Sequence, residues 1–163
     1  MSSIKEIIKR EPFEKFRGKP EVDPTKCIGC AACANACPPQ AIIARDEDGF
    51  RIIEFSFGRC IFCGRCEESC PTGAVKLSSN YLLATTTKDD LKLVMKFRLA
   101  KCRKCGRLFA TERQIEHAIS EVEKAGYTNI EDLREAQYYC PECRAKLFAE
   151  RVLLSLKFFR GEV

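Results

Sequence analysis

The chain has little with which to catalyse a reaction and nothing with which to span a bilayer. It has a single histidine, His117, set between apolar positions on a helical stretch beside charged neighbours, and this reads as a solvated surface side chain rather than a ligand. No Ser/His/Asp set, no glycine-rich phosphate loop and no catalytic pair of carboxylates stands out, so no active site belongs to the chain itself. No apolar run reaches the ~20 residues of a membrane-spanning helix. The nearest candidate, Leu147 to Phe159, is interrupted by Glu150, Arg151 and Lys157. No apolar leader with a charged flank and cleavage site opens the sequence, which points to a reducing, cytoplasmic setting.

Cysteine, by contrast, is abundant: twelve in 163 residues. The spacings are those of metal ligands rather than of a secreted disulfide framework. The formal charge of +5 would suggest nucleic acid or an anionic surface, but that count treats every thiol as neutral. Two oxidised cubane clusters and one four-thiolate zinc carry about −2 each and bring the loaded protein to about −1. The argument from net charge for nucleic acid loses its force.

From Lys26 the chain repeats itself. Lys26-Cys-Ile-Gly-Cys-Ala-Ala-Cys-Ala-Asn-Ala-Cys-Pro-Pro-Gln-Ala-Ile42 recurs 33 positions later as Arg59-Cys-Ile-Phe-Cys-Gly-Arg-Cys-Glu-Glu-Ser-Cys-Pro-Thr-Gly-Ala-Val75. Two copies make a duplicated domain, not a solenoid. Each copy is C-x2-C-x2-C-x3-C-P, the bacterial ferredoxin run for [4Fe–4S] clusters, whose fourth cysteine ligates the other cluster. Cys27, Cys30, Cys33 and Cys70 are therefore expected to hold one cluster, and Cys60, Cys63, Cys66 and Cys37 the other. Pro38 and Pro71 set the turn after each fourth cysteine. Gly29, Ala31, Ala36 and Gly64 are small enough for backbone N–H groups to approach cluster sulfur. Zinc in these eight cysteines is set aside by the tandem repetition with both prolines.

The remaining cysteines form a second set, Cys102-x2-Cys105 and Cys140-x2-Cys143. Four thiolates in two knuckles suit tetrahedral zinc in a closed structural site. Mononuclear iron is the alternative, since Cys140-Pro-Glu-Cys143 alone resembles rubredoxin, although the long insertion between the pairs does not. Lys101, Arg103, Lys104 and Arg107 beside the first knuckle invite a nucleic-acid reading, but basic residues there are more often a solvated or docking face, and no nucleic-acid partner is expected.

Around these motifs, Ile4, Ile7 and Ile8 predict a short amphipathic helix with Ser3 and Glu6 as a capping box and Pro12 as its stop. It either packs on the body or rests on a partner or membrane surface. Asp46-Glu-Asp-Gly49 between apolar segments predicts a β-hairpin. Residues 80–100 read as a connector and a helix carrying Leu91, Val94, Met95 and Arg98 on one side. Thr111 and Gln114 form a capping box for a helix with Ile115, Ala118, Ile119 and Val122, ended by Gly126, and a short helix follows at 130–136. The segment 146–159 is more apolar than a small domain easily hides. The expected organisation is an arm (1–26), a two-cluster domain (27–79), the connector and helix (80–100) and a metal-knuckle extension (101–163). In fold class this is α+β, a ferredoxin core followed by a mainly helical zinc-binding extension.

The second cysteine run, with Phe16-Arg-Gly18 upstream and Asn80-Tyr-Leu-Leu-Ala-Thr85 downstream, resembles the two-cluster ferredoxin-like subunit of respiratory complex I. It is similar also to the corresponding subunits of energy-converting membrane-bound hydrogenases and formate hydrogenlyase. The similarity covers about residues 10 to 95. It implies a subunit of a peripheral arm at the cytoplasmic face of the membrane, attached through partners that include a hydrogenase-like or quinone-reductase-like pair, and passing electrons along a chain of clusters. The four-cysteine extension departs from the complex I subunit and turns the comparison toward the hydrogenase branch. A free ferredoxin with an added metal module is the alternative.

Overall fold

In the computed structural model of the chain, residues 16–81, 83–126 and 130–160 are described. The expected helix at Ile4, Ile7 and Ile8, with its Ser3–Glu6 box and Pro12 stop, lies outside them. The chain divides into two compact units, Met1–Glu47 with Arg51–Lys96, and Asp48–Phe50 with Phe97–Val163. The fold is mixed α and β.

In the first unit, strand β1 (Pro20–Val22) pairs antiparallel with a later strand, β4 (Val75–Leu77), in the register Pro20↔Leu77, Glu21↔Lys76, Val22↔Val75. Proline at the head of a two-stranded sheet forfeits no interior ladder bond. This pairing joins residues 20–22 to the segment that follows the second run, and so ties together the segments flanking the duplicated run. Beside it the chain passes so closely that a Cβ on Gly18 would lie 2.4 Å from Asn80 O and 2.6 Å from Ser78 O, which explains glycine there.

The expected hairpin forms from β2 (Ile42–Glu47) and β3 (Phe50–Ser56). Its two turn residues, Asp48 and Gly49, have φ of 50° and 83°, the left-handed pair that matches the twist of the strands. Arg45 bridges Glu54 at 3.0 Å and Glu47 at 2.9 Å. Ile53 and Phe55, two apart and facing the same way, are almost fully buried together with Ala41, Ile42, Phe57, Ala74 and Val75. Burial of large side chains such as Ile53 and Phe55 contributes about 1.5–3 kcal/mol each.

The duplication is written in the backbone. Helices α1 (Ala32–Asn35) and α2 (Arg65–Glu68) occupy equivalent places. Each is preceded by a left-handed residue, Ala31 at φ 63° and Gly64 at φ 83°. Two further equivalent pairs are left-handed: Gly29 (69°) with Phe62 (55°), and Gln40 (51°) with Gly73 (62°). In each pair one member is glycine and the other is not. The loop conformation is therefore imposed by what the loop does, since an L side chain in that region costs of order 1 kcal/mol.

Residues 92–101 correct the sequence reading. Instead of a helix they form the ten-residue strand β5 (Lys92–Lys101), exposed at Lys92, Val94, Lys96 and Arg98 and more buried at Leu93, Met95, Phe97 and Leu99. The true period is two. Leu91, Val94, Met95 and Arg98 match a helical stripe only because apolar residues occur on both parities here. β5 continues through the first cysteine pair into β6 (Leu108–Thr111), antiparallel in the register Leu99↔Thr111, Ala100↔Ala110 and Lys101↔Leu108 with a bulge between Ala100 and Lys101. β2 neighbours β3, and β5 neighbours β6.

The rest of the second unit is helical, as expected. Helix α3 (Glu112–Lys124) starts on Thr111, whose hydroxyl accepts from Gln114 N at 3.1 Å. Gln114 does not complete a reciprocal box, because its Oε1 is buried and accepts no hydrogen bond. Gly126, at φ 74°, closes the helix by reaching the left-handed conformation that ends helices. Helices α4 (Ile130–Gln137) and α5 (Pro141–Arg160) follow. Along α5, Phe148 is 71 % and Leu153 58 % exposed. Among the described residues no helix is long and apolar enough to cross a membrane.

Candidate metal and cluster sites

None of the twelve cysteines is paired in a disulfide, and the fold gathers them in distinct places. In the first unit, Cys37 of the first copy lines one pocket with Cys60, Cys63 and Cys66 of the second. Ile42, Ile61, Phe62, Leu77, Pro20 and Pro39 close the pocket with apolar surface. The fourth cysteine of one run thus lies beside the first three of the other. Phe62 adopts its left-handed conformation inside this loop and donates its backbone N–H to Cys60 Sγ at 3.4 Å. A local run of such N–H groups forms a concavity suited to anionic sulfur.

Cys27, Cys30 and Cys33 form the neighbouring group. Burial pushes the Cys33 thiol up to about 12, with Cys27, Cys30 and Cys66 adding to the shift. The same causes act on Cys66, raised to about 11 by burial and by Cys60 and Cys63 against a backbone hydrogen bond at Glu67. Cys60 is likewise raised by burial, with Cys37 and Cys63 contributing. Crowded, half-buried thiols of this kind resist ionising by themselves and ionise when a cationic centre takes them as ligands. Cys66 contributes to the shift at Cys33, so the two groups adjoin.

Cys70 differs. Burial raises its pKa, but hydrogen bonds from Val75, Thr72 and Ala74 outweigh it and hold the thiol below its ordinary value. Ala74 N donates to Cys70 Sγ at 3.2 Å, and Thr72 Oγ1 stands 3.7 Å away. The equivalent of Thr72 in the first copy is Pro39, which has no side-chain donor.

The second unit holds a tighter set. The Sγ atoms of Cys102, Cys105, Cys140 and Cys143 all lie within 4.8 Å of one another. The first pair occupies the tip of the β5–β6 hairpin, where Gly106 N bonds Cys102 O at 2.9 Å and Cys102 N bonds Arg107 O at 2.8 Å. The second pair opens α5: Cys140 precedes it, Pro141 fills the first helical position that proline favours, and Cys143 falls in the first turn. Cys140 N donates to Cys102 Sγ at 3.3 Å and joins the two knuckles. Cys102, Cys140 and Cys143 are buried, Cys105 is exposed, and Phe109 and Tyr139 pack against the group.

A tetrahedral ion with thiolates at ~2.3 Å spaces its sulfurs about 3.8 Å apart, and Cys105 Sγ and Cys140 Sγ stand 3.7 Å apart. Burial raises the Cys102 thiol, but hydrogen bonds from the backbone of Cys140, Cys105 and Lys104 and from the Cys105 thiol bring it down to about 6. Burial and the thiols of Cys140, Cys105 and Cys102 push Cys143 up to about 12. One sulfur ionises readily and its neighbour does not, so four thiolates coexist here only around a cation. The donor set fits a metal ion.

Three of the basic residues near this site have partners within the unit. Arg103 stacks over Tyr138 at 4.4 Å, Lys104 reaches Glu150 at 3.8 Å and Arg107 bonds Glu142 at 2.5 Å. His117 sits half-buried on α3. Among the described residues, the four cysteines of the second unit are the one tight metal-ligand group. Arg51, which the sequence reading passes over, lies against the first cysteine loop and donates to Gly29 O at 3.5 Å.

Duplicated cysteine loops, a crossed fourth cysteine and short helices after left-handed residues define an iron–sulfur protein of the ferredoxin type. The 4Fe-4S dicluster domain family matches residues 8–74. The chain is 47 % identical over 133 residues to formate hydrogenlyase subunit 6 of Escherichia coli (strain K12), spanning 80 % of this chain and 74 % of that protein. The chain belongs to that family of two-cluster ferredoxin-like subunits. A shorter stretch, 29 residues at 59 % identity, matches F(420)H(2) dehydrogenase subunit I of Methanosarcina mazei and covers 18 % of this chain and 16 % of that protein. Among solved structures, a chain of the membrane-bound sulfane sulfur reductase, an archaeal respiratory membrane complex, aligns at TM-score 0.41 and 32 % identity over 56 % of this chain and 51 % of its own.

Proposed function

We propose that the chain is an electron-transfer subunit that relays electrons through two [4Fe–4S] clusters in the peripheral arm of a membrane-bound complex of the hydrogenase or complex I type. The observation that carries this reading is the pocket in which Cys37 joins Cys60, Cys63 and Cys66, together with membership of the family of formate hydrogenlyase subunit 6. In this reading Cys60, Cys63, Cys66 and Cys37 hold one cluster and Cys27, Cys30, Cys33 and Cys70 the other. Bound clusters supply one-electron chemistry at potentials set by charge, hydrogen bonding and exposure. The protein's part is to position and to tune. Ile61, Phe62, Ile42 and Leu77 keep water from one ligand set. Thr72 and the Ala74 N–H donate to Cys70 in the other, and the adjoining of Cys33 and Cys66 keeps the two sets close.

Cys102, Cys105, Cys140 and Cys143 hold a structural zinc in this reading, with mononuclear iron as the other ion of matching geometry. Zinc does no redox chemistry, which makes the second unit a braced docking element. Its exposed Phe148, Val152 and Leu153 on α5 meet partner subunits, among them a hydrogenase-like or quinone-reductase-like large and small pair, at the cytoplasmic face of the membrane.

The test is anaerobic iron, sulfide and zinc analysis of the protein isolated from native membranes with whatever accompanies it, combined with electron paramagnetic resonance after dithionite reduction. About eight irons, one zinc, two interacting reduced-cluster signals and co-isolated subunits of a redox complex are expected. Fewer than eight irons overturns the cluster reading. Full clusters in a lone protein that associates with no partner overturns the relay.

A further inference from the structure

Among the described residues of the first unit, Arg51 is the one arginine whose charge is both sheltered and aimed at a cysteine loop. Its side chain is only 15 % exposed. The Asp48-Gly49 turn brings it beside Asp46, which it grips through two bonds, Nε to Oδ1 at 2.7 Å and Nη2 to Oδ2 at 2.9 Å. The remaining nitrogen, Nη1, reaches Gly29 O at 3.5 Å, between Cys27 and Cys30 in the first run. The Asp46 hydrogen bond and charge hold the guanidinium above its ordinary pKa, and the Cys30 sulfur adds to the effect, so Arg51 and Cys30 lie within electrostatic reach. Two other arginines also contact the runs, Arg17 at Cys63 O (3.4 Å) and Arg59 at Pro39 O (3.1 Å), but both contacts are exposed. Exposed charges are screened by water and salt, and a half-buried one much less so.

We infer that Arg51, steadied by Asp46, is a tuning residue for the cluster held by Cys27, Cys30 and Cys33, raising its reduction potential and fixing the loop that carries Gly29. The inference rests on the cluster reading proposed above. One-electron uptake adds one negative charge to the site, so a fixed cation nearby favours the reduced state and a fixed anion disfavours it. A guanidinium does not lose its proton in any accessible pH range, and the effect is therefore constant with pH on the arginine side. Asp46 opposes Arg51, but at 44 % exposure its charge is more strongly screened, and the pair acts with net positive sign. The segment that precedes the first run offers Gly18 at the matching place, 33 residues before Arg51, and its neighbour Arg17 makes the exposed contact with Cys63 O, so the sheltered charge belongs to one cluster.

The test is a redox titration of the full chain followed by electron paramagnetic resonance, with iron and sulfide counted in every sample, for wild type, Arg51→Gln, Arg51→Lys and Asp46→Asn. Arg51→Gln is expected to lower one of the two midpoints by about tenfold in the reduction equilibrium, which is 59 mV for a one-electron couple, and to leave the other in place. Asp46→Asn should raise that same midpoint by less. Arg51→Lys should stay near wild type. Unchanged midpoints in both Arg51→Gln and Asp46→Asn overturn the inference. So does an Arg51→Lys shift equal to that of Arg51→Gln, because the arginine would then act through shape and not charge. A wild-type sample with fewer than eight irons instead removes the cluster reading itself, and the iron count separates that failure from a failure of the tuning.

Discussion

Replacement of Gly18 by alanine tests how the first unit is closed. An added Cβ would stand 2.4 Å from Asn80 O and 2.6 Å from Ser78 O, where a carbon and an oxygen ordinarily approach to about 3.3 Å. Both obstacles are backbone, so no side chain can turn away. Relief requires the two segments to part by about 0.9 Å, judged against that ordinary contact distance. The bonds at stake are Gly18 N to Ser78 O (2.8 Å), Lys19 N to Asn80 O (2.7 Å) and Ser78 N to Lys19 O (3.0 Å). Stretched by that amount all three pass out of bonding range, and at about 1 kcal/mol each the loss is about 3 kcal/mol. For a domain of this size that is about 10–20 °C in Tm. The assay is anaerobic thermal unfolding of the loaded protein, followed by cluster absorbance and circular dichroism. Gly58→Ala is the control, since its Cβ would meet only Leu91 Cδ1 at an ordinary 3.5 Å. A Gly18→Ala protein that melts within a degree or two of the Gly58→Ala control would refute the reasoning.

Two further outcomes follow from the sites. Cys37→Ala should abolish the cluster of Cys60, Cys63 and Cys66, leaving about four irons and one of the two reduced signals. Persistence of the cluster in the second run, with loss in the first, would mean that the ligands do not cross. On the proposed zinc reading, removal of that ion from the second unit with a chelator that spares the cluster absorbance should erase much of the helical signal of α3 to α5. Its buried apolar core is small, led by Phe97, Leu99 and Ile115, and a structural four-thiolate ion contributes about 10–16 kcal/mol, more than such a core supplies. Retention of full helicity after complete metal loss would show that the knuckles brace nothing.

The motifs with a physical reason for their spacing were legible in the chain itself. Asp48-Gly49 predicts its hairpin because both residues reach positive φ at little cost, and Thr111 predicts the start of α3 because its hydroxyl caps an N–H three residues on. The two C-x2-C pairs imply a common site because four sulfurs at that spacing suit one tetrahedral ion. Local chemistry decides each of these. It does not decide β5, where apolar residues on both parities leave the period ambiguous until a partner strand selects one face.

By itself, then, the sequence determined the duplication, the eight cysteines of its two runs, the separate set of four and the helices that follow. Each is a matter of neighbours along the chain. The tertiary structure alone decided that Gly18 must lack a side chain, that three positions of each run turn left-handed whether or not they are glycine, and that Arg51 faces the first loop. These depend on segments far apart in the chain meeting within a few ångströms, where a Cβ, a backbone N–H or a sheltered charge has consequences that no local pattern records.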